Sequence, residues 1–231
     1  PTARNIELLT RSRVEPTRAL AAAAAEVPPP PVWIQASTLA IYGDAGDAVL
    51  DETASPAEGP PQMAGVARAW EAAAETAPAE RRVVLRTGIV LDAGTPALDR
   101  LTGLTRWGLG GRVGPGQQWV SWIHVTDWLA IVTGLLEGGI GEVRDGVVHA
   151  TGPRPVRNAE LMASLRHALR RPPAPPTPAL LVRLGALVLR TDPALALTGR
   201  RAVPARLQAA GFRFTYPGLD EALTDLLGAQ S

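Results

Sequence analysis

Two short apolar segments, Val32 to Ala36 and Arg82 to Val90, constrain the fold of this chain more than any other feature. Pro28 to Pro31 and Ser37-Thr38 bound the first, and Thr87-Gly88 lies near the end of the second. Both read as strands buried on two faces, the habit of parallel sheets. Parallel neighbours cannot be joined by a tight turn and need a crossover. The stretch between them offers one: a loop from Asp44 to Gln62, then helical spacing from Met63 to Ala77 with Met63, Val66, Ala67 and Trp70 on its apolar side. The pattern predicts an α/β fold with a parallel sheet. It also singles out Ser37, Thr38, Tyr42 and Gly43, because open parallel sheets bind ligands at the carboxyl ends of their strands.

The flanking segments fit the same scheme. Ile6 to Ala25 reads as a helix whose better half opens at Pro16, since proline is tolerated in a first turn. After the second strand come a short helix around Ala97 to Leu104, the glycine-rich stretch Gly108 to Gly116, and a strand from Trp119 to Val125. Thr126 or Asp127 is placed to cap a helix from Trp128 to Glu137, and Gly146 to Ala150 is a further strand. Asn158 is placed to cap a helix with Leu161, Met162, Leu165, Ala168 and Leu169 on one face. Arg171 to Pro178 forms a second proline-rich connector, followed by Ala179 to Leu189, Arg201 to Ala210, Phe212-Arg213-Phe214 and a last helix from Leu219 to Leu227. A boundary near Pro155 divides the chain into residues 1–154 and a smaller part, 155–231.

Composition removes whole chemistries. All 23 basic residues are arginine, so there is no Schiff-base lysine, no Walker A lysine and none to assist a catalytic tyrosine. Without cysteine there is no disulfide framework, thiolate nucleophile or Cys-ligated zinc. His124, His149 and His167 share no metal-binding spacing, and no metal is expected. The 23 basic residues nearly balance 22 acidic ones, which gives no reason to expect nucleic acid or a membrane surface as partner. The apolar runs Leu129 to Leu136 and Leu180 to Leu189 are too short and interrupted to span a bilayer, and a cytoplasmic protein is expected.

Three constellations stand out. Gly108-x-Gly110-Gly111-x-x-Gly114-x-Gly116 imitates a dinucleotide fingerprint but follows a helix and precedes a strand, the reverse of what a phosphate cradle needs, so it reads as a flexible loop placed over a substrate. Ser37 and Thr38 can contact a substrate oxygen or simply satisfy turn backbone, and the sequence leaves both open. His124 sits inside an apolar strand, where a core histidine bonded to backbone is the commoner outcome. Trp107, Trp119, Trp122 and Trp128 read as a core cluster beside the glycine loop.

Taken in order, Ser12-Arg13-Val14-x-x-Thr17, Trp33-Ile34-x-Ala36-Ser37-x-x-x-x-Tyr42-Gly43, Trp70-Glu71, Leu85-Arg86-Thr87-Gly88-Ile89-Val90-Leu91, Gly114-x-Gly116-Gln117, Ser121-Trp122-Ile123-His124-Val125-x-Asp127 and Pro153-x-Pro155-Val156-x-Asn158 carry a resemblance. They resemble the atypical NAD(P)-dependent epimerase/dehydratase branch of the extended short-chain dehydrogenase/reductase superfamily. Arg171-Pro172, Val203-Pro204-x-Arg206-Leu207, Gly211-Phe212-x-Phe214 and Ala222-Leu223 resemble that branch's small C-terminal domain of unknown function. The resemblance implies a Rossmann-like α/β fold, a doubly wound parallel sheet, with a small α-rich C-terminal substrate region. It also implies that the chain opens past the family's GxGxxG turn, with about 70 to 90 residues of the pattern preceding Pro1 at about 30 residues per βαβ unit.

By the same resemblance Ala36, Ser37, Thr87, Gly88 and Ile89 lie along the cofactor and Thr38 is the remaining polar group at the reacting centre. Tyr42, Gln117, Gln118, Trp119, Trp122 and His124 line the substrate cleft. The family's Tyr-x-x-x-Lys pair falls on Met63 and Ala67, which cannot transfer a proton. The implied function is an NAD(P)-dependent epimerase or oxidoreductase using NADP rather than NAD. Its substrate is a small molecule, with nucleotide sugars among the candidates. The alternative is a catalytically silent nucleotide-binding or protein-interaction module. Lacking the glycine turn, the chain alone is expected to bind NAD(P) weakly and to expose a strand edge.

Overall fold

The computed structural model describes residues 2–182, 192 and 194–228. In chain order its elements are α1 (Ala3–Ala24), β1 (Trp33–Thr38), β2 (Val49–Leu50), α2 (Val66–Ala72), β3 (Arg82–Thr87), β4 (Ile89–Leu91) and α3 (Pro96–Arg106). There follow β5 (Trp119–Val120), β6 (Trp122–His124), α4 (Val125–Leu136), β7 (Gly146–Ala150), β8 (Val156–Arg157) and α5 (Asn158–Ala168). The last are α6 (Ala194–Leu197), β9 (Arg201–Ala202), α7 (Ala205–Ala209) and α8 (Leu219–Gly228). The two apolar segments are adjacent parallel strands, as their composition requires, and β3 also pairs in parallel with β7 to give the order β1-β3-β7. Val83, Leu85, Val148 and Ala150 of this sheet bury themselves against Ile131 and Leu135 of α4.

Helix α1 does not restart at Pro16: it runs through the proline. An interior proline loses one backbone bond and costs about 3 kcal/mol. Docking against α2 offsets that cost: Val14, Thr17 and Ala21 are buried, and the Trp70 indole donates to Thr17 Oγ1 at 3.1 Å.

The strand expected from Arg82 to Val90 is two strands. At Gly88 the chain changes partner, its own N–H donating to Ala150 O at 3.0 Å and that of Ile89 to Ser121 O at 2.9 Å, so that β4 pairs with β6. A Cβ on Gly88 would stand 2.7 Å from the Ser121 carbonyl oxygen, and only glycine allows the switch. The strand expected from Trp119 to Val125 breaks at Ser121 for the matching reason, with β5 antiparallel to β8 and β6 parallel to β4.

Two caps differ from expectation. Helix α4 starts at Val125 and its cap is His124, whose ring Nδ1 accepts the Thr126 N–H at 3.1 Å. Asp127 instead accepts the N–H groups of Thr215 and Tyr216 at 2.7 and 3.0 Å, tying the C-terminal segment down. Arg157, not Asn158, is the cap residue of α5, and Asn158 Oδ1 accepts the Val113 N–H at 2.8 Å.

The glycine stretch is a packed connection rather than a loose lid. Val113 bridges to Thr177, Arg166 donates to Gly110 O, and the Pro175 carbonyl leaves no room for a Cβ on Gly111. The tryptophans do not cluster: Trp122 is buried, Trp119 and Trp128 are half-buried, and Trp107 is 84% exposed.

Residues beyond 155 share cores with the rest. Strand β9 pairs in parallel with β2, Leu207 of α7 packs under the main sheet, and Leu223 and Leu226 of α8 meet Leu161 and Leu165 of α5. The expected segment Ala179 to Leu189 lies outside the described residues from 183 on. Among the described residues no helix is long and apolar enough to cross a membrane, and no cluster of acidic or histidine side chains is arranged to hold a metal.

Candidate functional site

Parallel pairing fixes what stands at the carboxyl end of the sheet. Ser37 of β1, Arg86 of β3 and His149 of β7 are register partners in one row, and Thr38, Thr87 and Ala150 form the next. Successive residues of a strand point to opposite faces, so the two rows serve different environments.

The first row is a buried polar chain. Ser37 Oγ donates to Glu71 Oε1 at 2.5 Å, and Arg86 clamps both Glu71 oxygens at 2.9 and 2.8 Å. Arg86 Nη1 donates to Tyr42 OH at 2.7 Å, and that hydroxyl lies 2.6 Å from His149 Nε2. The far ring nitrogen, Nδ1, is 3.0 Å from Val203 O, which can only accept. Val203 O thus requires a proton on Nδ1, and in the neutral ring that burial favours Nε2 accepts from Tyr42. Burial lowers the pKa of His149 and raises that of Tyr42, which supports the same state. Burial alone would lower the pKa of Arg86, but its bonds to Glu71 reverse the shift.

The second row opens into a cavity of about 310 Å³. Thr38, Thr87, Gly88 and Ile89 form one side, and Gln118, Trp119 and Ser121 a second. Ala196, Thr198 and Arg200 close it from the C-terminal region. Thr38 Oγ1 accepts the Ala40 N–H at 3.1 Å, while its own hydrogen has no acceptor among the described residues. Thr38 thus closes a turn, the second of the two readings, and leaves its hydroxyl hydrogen uncommitted among the described residues. A larger groove, about 740 Å³, lies at the amino ends of the strands beside Trp33, Arg82 and Asp145. Ligands of open parallel sheets bind at the opposite end, so the smaller cavity is the candidate site.

Of the residues singled out in the sequence, Thr38, Thr87, Gly88, Ile89, Gln118 and Trp119 line this cavity together. Ala36 is exposed on β1, and Ser37 and Tyr42 belong to the buried chain. Gln117 lies in a shallow outer groove, and Trp122 is core, its indole donating to Arg154 O at 3.1 Å. His124 is buried, stacked at 4.0 Å on Tyr216 with Nε2 3.2 Å from Asp225 Oδ2 but outside hydrogen-bond geometry. Met63 lines the cavity, and Ala67 is buried in a core with Leu39, Ile41 and Tyr42.

Sequence reasoning missed Asn158, Thr198 and Arg200 as lining residues. Adjacent arginines such as Arg200-Arg201 are ordinarily solvated, and no local spacing marks one of them as facing inward. Arg200 Nη2 lies 3.7 Å from Met63 Sδ and 3.4 Å from Thr198 Oγ1, and burial lowers its pKa against the opposing pull of Asp44. Outside the mouth, Arg157 and Arg201 stack on the Trp119 ring at 4.0 and 4.5 Å, and Asp47 accepts from its indole at 2.8 Å.

Residues 177–226 match DUF1731, a domain of unknown function. The bovine epimerase family protein SDR39U1 is 35% identical over 94% of this chain and 72% of its own length. The chain belongs to the SDR39U1 epimerase family. This is an atypical branch of the NAD(P)-dependent epimerases and short-chain dehydrogenases, with DUF1731 at its C-terminal end. An epimerase family protein of Mycobacterium leprae is 37% identical over 94% of this chain and 68% of its own. The crystal structure of human SDR39U1 with NADPH is 30% identical and superposes with a TM-score of 0.88 over 98% of this chain and 76% of that one.

Proposed function

We propose that the chain supplies the nicotinamide-facing surface and substrate cavity of an NADP-linked epimerase or oxidoreductase acting on a small molecule. The observation that carries this reading is the cavity at the carboxyl ends of β1 and β3, with Thr38 holding an uncommitted hydroxyl proton at its edge. The NADPH bound to human SDR39U1 supports the cofactor. The residues present fit only its nicotinamide end: Thr38 and the segment Thr87 to Ile89 are open to a planar ring, whereas among the described residues no strand leads through a GxGxxG turn into a helix that could take the pyrophosphate. When bound, the cofactor would supply hydride acceptance and return.

In this reading Thr38 donates to the substrate oxygen, Gln118 and Asn158 orient polar groups, and Ile89, Leu101 and Leu161 exclude water. Met63 and Ala67 hold no proton relay, a contribution of about 10² to 10⁴ in rate elsewhere. Those two side chains favour the second reading, a nucleotide-binding module without turnover.

Saturation-transfer NMR with NADPH and NADH tests the proposal, because it reads weak contacts. Nicotinamide protons should receive more saturation than adenine protons in both nucleotides, and Thr38→Tyr should abolish the transfer. An adenine-dominated pattern, or none from either nucleotide, refutes it.

A further inference from the structure

Among the described residues Arg200 is the sole charged residue lining the cavity, and none of their carboxylates lies within ion-pair distance of it. Its Nε is buried without a hydrogen-bond partner, and Nη2 meets only a thioether and a threonine oxygen at long range. Asp44 acts on Arg200 only through its field, without an ion pair, and its Oδ1 accepts the Gly199 N–H at 3.3 Å. A buried guanidinium N–H left unmade is costly, and planar oxyanions satisfy that fork best. Much of the remaining wall is aliphatic, including Leu39, Ile89, Leu101 and Leu161. The volume, about 310 Å³, matches about ten water molecules at ~30 Å³ each. A whole nucleoside diphosphate sugar does not fit inside it.

We propose that the cavity takes a compact amphipathic oxyanion, a carboxylate or phosphate monoester whose charged group pairs with Arg200 while its apolar body lies against Ile89, Leu101 and Leu161. This deepens the reading of the cavity as the substrate site and rests on it. Such a ligand is oriented from both ends, because Arg200 fixes the anion and Thr38 can donate to an oxygen placed further along the molecule.

The test is calorimetric titration of the chain with hexanoate, hexyl phosphate, hexanol and UDP-glucose. Either anion should bind at least about tenfold tighter than hexanol, since charge-assisted bonds are the strong ones, and the tighter of the two identifies the headgroup. Arg200→Gln should erase the preference and Arg200→Lys should retain part of it. Hexanol binding as tightly as the anions in the wild-type chain overturns the proposal without any variant. So does an anion preference that survives Arg200→Gln, or UDP-glucose binding tighter than both anions. No nicotinamide nucleotide is present in these titrations, so a failed cofactor reading leaves their outcome standing. NADPH contact without anion preference defeats this inference alone.

Discussion

Tyr42→Phe removes one oxygen from the middle of the buried chain and changes nothing else in the packing, because the ring stays. Arg86 Nη1, which donates to that oxygen at 2.7 Å, and His149 Nε2, 2.6 Å from it, lose their partner, while Asp51 O, 3.4 Å from the same hydroxyl, keeps the Ala54 N–H at 3.1 Å. An unmet buried donor or acceptor costs about 1–3 kcal/mol, and more for a charged group. Arg86 keeps its bidentate bond to Glu71, so the cost stays near the lower half for each, about 3 kcal/mol in total. In a chain of this size that lowers Tm by about 6–12 °C, at about 2–4 °C per kcal/mol. Scanning calorimetry at pH 8, with urea unfolding as a second probe, measures it. Combining Tyr42→Phe with His149→Leu should cost less than the sum of the single changes, because the histidine nitrogen then needs no partner. A loss under about 1 kcal/mol, or strict additivity in the double variant, would show that the chain is not the connected unit the distances describe.

Because burial lowers the pKa of His149, its ring is neutral in the fold while the unfolded chain takes up a proton below about pH 6.5. Its contribution is therefore complete above that pH and falls as pH drops toward the depressed native value, so urea stability from pH 8 to 5 should slope downward and His149→Gln should flatten the slope. Gly88→Ala places a methyl 2.7 Å from the Ser121 backbone oxygen, which cannot retreat, and should cost about 1–3 kcal/mol in urea unfolding; an unchanged midpoint would refute the close approach. Asp127→Ala strands the amides of Thr215 and Tyr216, and amide exchange there should accelerate more than in β3. Removing residues 177–228 exposes Leu161 and Leu165 and takes Leu207 and Leu223 out of their cores, so the shortened chain should show no cooperative transition in circular dichroism.

The parallel strands and most helices were legible because apolar spacing reports burial directly. What escaped the sequence was set by partners far along the chain. Gly88 reads as a strand residue until Ser121 approaches it, and Pro16 reads as a helix start until α2 supplies the packing that tolerates it. Tyr42 and His149 stand 107 positions apart, so a tyrosine after a strand looked like a cleft wall rather than a core hydroxyl. The glycine-rich stretch reads as a loop because it follows a helix and precedes a strand, but its tightness depends on the proline connector, which no local rule brings alongside. Arg200 carries no signal at all in its own neighbourhood.

The two rows at the sheet end explain why a cavity can hold its shape there. Ser37-Thr38 on β1 and Arg86-Thr87 on β3 are paired dipeptides in register, and each sends one side chain to either face. On one face Ser37 and Arg86 are fastened by the same carboxylate, Glu71, with Tyr42 and His149 extending the chain to β7. That fixes the backbone from which Thr38 and Thr87 project on the other. Thr87 is steadied again from beside it, its hydroxyl oxygen accepting from the Trp128 indole at 3.3 Å. Thr38 keeps its turn bond and a spare proton. A reacting group must be held within a fraction of an ångström to be useful, and rigid strand ends do this better than loops. The costly burial of an arginine, a glutamate, a tyrosine and a histidine behind the cavity is thus the means by which two small hydroxyl side chains in front of it are positioned.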